Sequence, residues 1–147
     1  MIKIPTNVLI VDDEKDFVEM FGLRLEEAGE RVHRAYSGKE CLDILAKEYI
    51  DVVVLDIKMP GMDGIETLQE IKKHYPIVEV IMLTGHGTIE TAVEGMKLGA
   101  YDYLLKPADV EEITTKMEGA RRRKEEQEER IRKAEQRSLL RKGGNVY

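Results

Sequence analysis

The chain has 147 residues, of which 42% are hydrophobic and 35% charged, and its formal net charge is −6 at pH 7; one domain with a substantial core fits that length. The lone cysteine, Cys41, excludes an internal disulfide framework and suits a reducing compartment, and apolar runs no longer than four residues exclude a membrane span or signal-peptide core, so a cytoplasmic protein is expected. Residues 1–108 carry 20 Asp and Glu against 12 Lys and Arg, an acidic body unsuited to nucleic-acid phosphates, whereas residues 109–147 carry 9 against 11 and are basic only in patches.

Taken in chain order, the pattern is an alternation. Asn7–Val11 reads as a buried strand, and Phe17, Phe21, Leu25 and Ala28 then recur at helical spacing up to a stop at Gly29. A second strand is expected over Arg31–Tyr36, followed by a helix opened by the Ser37/Glu40 capping pattern. Asp51–Leu55 is a third strand, and Ile65, Leu68 and Ile71 mark a third helix. Val78–Leu83 precedes a helix marked by Ala92, Val93 and Met96 and ending near Gly99. Tyr101–Leu105 precedes a fifth helix that Asp109 and Glu112 would cap after Pro107. Alternation of this kind, with near-continuously apolar strands, implies an α/β fold with five parallel strands in a doubly wound sheet.

Ligands of such sheets bind outside the carboxyl ends of the strands. Here the first strand runs into Asp12 and Asp13, the third into Asp56, the fourth into Thr84 and the fifth into Lys106. Each residue has an ordinary explanation: Asp13 as a helix cap, Asp56 before a turn-rich loop, Thr84 as a strand former, Lys106 as a surface charge. Their joint position at four strand ends argues for a site. Two carboxylates about 4 Å apart repel by about 4 kcal/mol at an effective dielectric near 20, so converging acids call for a cation. Oxygen ligands, with His33, His74 and His86 scattered, favour Mg²⁺ over zinc or copper. A carboxylate beside Mg²⁺, an ammonium and a hydroxyl form a phosphoryl-acceptor site, with Asp56 as nucleophile, Lys106 offsetting charge and Thr84 donating a hydrogen bond.

The set Asp12-Asp13, Asp56-Ile57-Lys58-Met59-Pro60-Gly61-Met62-Asp63-Gly64, Thr84-Gly85 and Tyr103-Leu104-Leu105-Lys106-Pro107 resembles the receiver domains of two-component response regulators over roughly residues 6–120. The resemblance implies a flavodoxin-like strand order 2-1-3-4-5 and a phosphorylation-activated signalling switch rather than an enzyme acting on external substrates. It implies direct Mg²⁺ ligation by Asp13, Asp56 and the Lys58 backbone carbonyl, with Asp12 acting through water. It further implies a phosphohistidine donor on a sensor histidine kinase or phosphotransfer protein, a Thr84/Tyr103 switch pair, a cis Lys106-Pro107 bond and an output face on the fourth helix, fifth strand and fifth helix. The stretch from Leu83 to Thr88 most resembles receivers attached to ATPase-type transcriptional activators. An Mg²⁺-dependent Asp-nucleophile phosphatase is the alternative, but such enzymes usually carry an acid two residues after the nucleophile, where this chain has Lys58. A non-phosphorylated adaptor of the same fold typically lacks one of the acids or the lysine.

The division expected is a receiver over 1–120, a charged extension of the fifth helix over 121–142 and a flexible terminus at 143–147. Residues 116–142 contain 17 charged side chains in 27 and no proline, which favours a solvated helix. A heptad seam through Val110, Ile113, Met117, Ala120, Lys124, Gln127, Ile131, Ala134, Ser138 and Arg141 is interrupted but leaves room for a homodimer through helices four and five and the extension.

Overall fold

The structure is a computed structural model that describes residues 3–59, 63–85 and 89–144. Five strands, β1 (Asn7–Val11), β2 (Arg31–Ala35), β3 (Val52–Leu55), β4 (Glu79–Thr84) and β5 (Asp102–Leu105), alternate with five helices. These are α1 (Lys15–Glu27), α2 (Gly38–Leu45), α3 (Gly64–His74), α4 (Ile89–Lys97) and α5 (Val110–Gly144). The strands form one parallel sheet in the order β2-β1-β3-β4-β5.

Strand alternation divides the core into two layers. Leu9 and Val11 of β1 and Val53 and Leu55 of β3 face one side, where Cys41, Leu45, Leu68 and Ile71 of α2 and α3 cover them. Val8, Ile10, Val52 and Val54 face the other, covered by Val18, Phe21 and Leu25 of α1 and by Ile113, Met117 and Ala120 of α5. Both faces are therefore dry, which is why these strands are apolar without interruption. Burial pushes the Cys41 thiol up to about 12, so it serves as a small core residue.

Local chemistry sets the element ends. The Ser37 hydroxyl accepts from the Glu40 N–H, while Glu40 takes the Tyr36 N–H at 3.0 Å, so β2 ends one residue earlier than its apolar pattern suggests. Gly29 and Gly99 stop their helices in the left-handed region, with φ of 94° and 108°. At α5 the Asp109 carboxylate accepts from the Glu111 N–H, one residue short of the expected Glu112.

The fourth helix forms where expected, with its own choice of buried residues, and one expectation about the fifth needs correction. In α4 the buried residues are Ala92 and Gly95, whereas Val93 and Met96 are 46% and 41% exposed. Gly95 lets the helix approach the Met82 side chain, turning Val93 and Met96 outward beside Ile89 and Tyr103. The stretch after residue 120 is not wholly solvated either, since Arg121 and Lys124 are buried. Five residues of the heptad seam are spent on the chain's own body: Ile113, Met117, Ala120 and Lys124 are buried, and Val110 packs against the same core. The helix is continuous through Gly144; residues 145–147 of the expected terminus, like His86, lie outside the described residues.

Candidate functional site

The carboxyl edge of the sheet is acidic because β1 and β3 are adjacent and end in register, with Val11 opposite Leu55. Asp12 and Asp56 follow these residues and are buried, whereas Asp13 is exposed. One carboxylate oxygen from each of the three lies within 4.8 Å of the others. Asp12 does two things: Oδ1 accepts the Glu14 N–H at 3.0 Å, and Oδ2 accepts from the Lys106 ammonium. Asp13 makes no helix cap, for the α1 N-cap is Glu14 and no side chain caps it.

Asp56 Oδ1 accepts the Lys58 N–H at 3.3 Å. Burial, reinforced by the neighbouring Asp12 charge, pushes the Asp56 carboxyl up to about 6, while Lys106 pulls the other way. A glycine also fixes its position. The Gly64 N–H donates to the Ile57 carbonyl at 2.8 Å, and a Cβ there would stand 2.3 Å from the Asp56 carbonyl oxygen. Only glycine lets α3 begin so close behind the acidic residue. The Asp63 side chain caps that helix through the Glu66 N–H at 2.8 Å.

Lys106 closes the edge from β5, and its bond to Pro107 is cis. Burial alone would lower its pKa, but the hydrogen bond to Asp12 and the charges of Asp12, Asp56 and Glu14 outweigh it and raise it. Glu14 Oε1 lies 3.6 Å from the ammonium, and the Phe17 ring centroid lies 4.1 Å from it. Sequence reading missed both residues; an aromatic one turn into α1 is indistinguishable from core by pattern alone. Thr84 ends β4 opposite Leu105, but its side chain lies outside the described residues, as do Pro60, Gly61 and Met62. Tyr103 is 38% exposed, outside the acidic edge.

This arrangement suits a hard cation. Three carboxylates face one another, two of them buried, and among the described residues Lys106 is the cation against them. No helix among the described residues is long and apolar enough to cross a membrane.

The family model "Response regulator receiver domain" matches residues 8–118. Over 103 residues, 69% of this chain and 22% of the other, the sequence is 47% identical to a Rickettsia bellii protein named as an NtrX-like response regulator. It is 41% identical over 106 residues to the regulatory protein AtoC of Escherichia coli, covering 72% of this chain and 23% of that one. The fold superposes on a response regulator receiver domain protein of Clostridium thermocellum with a TM-score of 0.78 at 38% identity, covering 82% of this chain and 97% of that one. The chain thus spans about a quarter of the length of the curated relatives it matches. With that match, these relatives and the shared five-stranded sheet, the chain belongs to the response regulator receiver domain family, whose members are phosphorylation-activated signalling switches.

Proposed function

We propose that Asp56 is the phosphoryl acceptor of this receiver and that Asp12, Asp13, Asp56 and the Lys58 backbone carbonyl hold Mg²⁺ beside it. The observation that carries the reading is the meeting of three carboxylates with the Lys106 ammonium at one sheet edge. The donor is a phosphohistidine of a sensor histidine kinase or phosphotransfer protein. An Asp56 carboxylate oxygen attacks phosphorus in line, the P–N bond to the histidine breaks as the P–O bond forms, and Asp56 becomes an acyl phosphate. When bound, Mg²⁺ supplies positive charge for the phosphoryl oxygens.

The protein's own groups supply positioning. The Gly64 approach and the Lys58 N–H fix the Asp56 carboxylate. Its raised affinity for protons marks a carboxylate held in an unfavourable setting, which loading with metal relieves. Lys106 moves from Asp12 toward the incoming phosphoryl group and offsets its charge, while Thr84 donates to a phosphoryl oxygen. Tyr103, exposed before phosphorylation, is the partner of Thr84 in the switch.

Intact-mass measurement with acetyl phosphate and Mg²⁺ tests the reading. Wild type should gain one phosphoryl adduct and Asp56→Asn none; equal adducts on both would overturn the assignment.

A further inference from the structure

The Lys106 ammonium has three attachments: the hydrogen bond to Asp12, the 3.6 Å approach to Glu14 and the face of Phe17 at 4.1 Å. The first two are ionic, and Asp12 belongs to the acidic cluster where a bound cation would lie. A divalent cation competes with an ammonium for the same carboxylate and repels it at close range. The aromatic face attracts the ammonium through its quadrupole and offers no ligand to a hard metal. Phe17 is itself fixed, stacked on Phe21 with ring centroids 5.3 Å apart at an interplanar angle of 16° and packed against the α1/α5 side of the core. Lys106 is 16% exposed along its side chain, so its ammonium has little solvent to retreat to.

The geometry points to Phe17 as a positioning residue for phosphoryl transfer: its ring would seat the Lys106 ammonium at the edge of the site when a bound cation and its water draw on the Asp12 carboxylate. The inference rests on the reading of Lys106 as a phosphoryl-binding group. It adds that the lysine reaches the acceptor from an aromatic seat and not from bulk solvent, so that the ammonium stays beside the site in the loaded state.

Three measurements test it. In metal-free protein the Lys106 ε-methylene protons should show an upfield ring-current shift in NMR spectra of wild type and Phe17→Tyr, and lose it in Phe17→Leu. With saturating Mg²⁺, the rate of phosphoryl adduct formation from acetyl phosphate should fall about threefold to tenfold in Phe17→Leu and recover in Phe17→Tyr, as expected from a partly desolvated cation–π contact. In the Lys106→Ala background, Phe17→Leu should cause no further loss, because the partner is already gone. Thermal melts establish that each variant is folded. An equal loss from Phe17→Leu in both backgrounds, or no recovery with tyrosine, makes Phe17 a packing residue and overturns the proposal. An unshifted ε-methylene signal overturns it as well. If Lys106→Ala alone leaves the rate unchanged, the role of Lys106 falls first, and the two failures are told apart.

Discussion

Asp56 ionises against its surroundings, and that has a measurable sign. Its native carboxyl holds a proton up to about 6, whereas an aspartate in an unfolded chain titrates near 3.8. Between those values the native state binds more protons than the unfolded chain, so this group's contribution makes stability fall as pH rises. The effect is at most about 3 kcal/mol, from roughly 1.4 kcal/mol per pKa unit. Urea unfolding of wild type and Asp56→Asn from pH 4 to pH 7 should show the wild type losing ground to the variant across that window. Mg²⁺ should flatten the difference, because a cation favours the ionised carboxylate. That Asp12, Asp13, Asp56 and Lys106 meet at one sheet edge was legible in the sequence because strand ends are easy to locate. Phe17 was not legible, since its role lies in which residue stands over its ring. Nor was the need for glycine at Gly64, which follows from the backbone of Asp56 and Ile57 behind it.

At the scale of elements, α5 is held by two unlike means. Its first half buries Ile113, Met117 and Ala120 against the sheet. Near the amino ends of the strands, two adjacent basic residues then take over. Lys124 reaches Asp51 at 3.3 Å, Glu128 at 3.0 Å and the Tyr49 hydroxyl at 2.7 Å, and Arg123 pairs with Glu79 at 2.6 Å. Asp51 is also bonded to the Asn7 backbone at 2.8 Å, and Glu79 to Lys72 at 3.0 Å, so the ion pairs tie α5 to the starts of β1, β3 and β4. Met117→Ala should cost about 2–5 kcal/mol as a buried truncation. Lys124→Met should cost about 3 kcal/mol, because it leaves buried Asp51 without its cation. By contrast, Glu126→Ala, on an exposed position, should stay within about 0.5 kcal/mol in the same urea measurement. The five-plus-five alternation could be read from periodicity, but this clamp could not. A helix with 17 charges in 27 residues looks solvated throughout until the sheet edge beneath it is known to present buried acids.

For the molecule as a whole, a metal that binds only the folded arrangement of three carboxylates stabilises all of it. At a hundred times its dissociation constant the gain is about 2.7 kcal/mol. Calorimetric melts of chelated and Mg²⁺-repleted protein should differ accordingly, and Asp13→Ala should remove most of the gain. Association is the other whole-molecule property. With five seam residues spent on the chain's own body, the extension offers a second copy Gln127, Ile131, Ala134, Ser138 and Arg141, of which only Ile131 is large and apolar. Sedimentation equilibrium should therefore return a monomer at micromolar concentration for the unphosphorylated chain, as for a version ending at Arg130 that keeps the clamp. A dimer of the full chain alone would show that the distal seam suffices. The continuity of α5 has one further consequence, which is geometrical. Twenty residues lie beyond Lys124 in a helix that runs unbroken to Gly144, a rod about 30 Å long at 1.5 Å per residue. Pivoting at the clamp, such a rod is a lever: a tilt of about 5° at the sheet edge becomes a displacement of about 2.6 Å at the far end. An adjustment too small to disturb the packing of the body is thus enlarged, along the helix axis, to the size of an atomic contact.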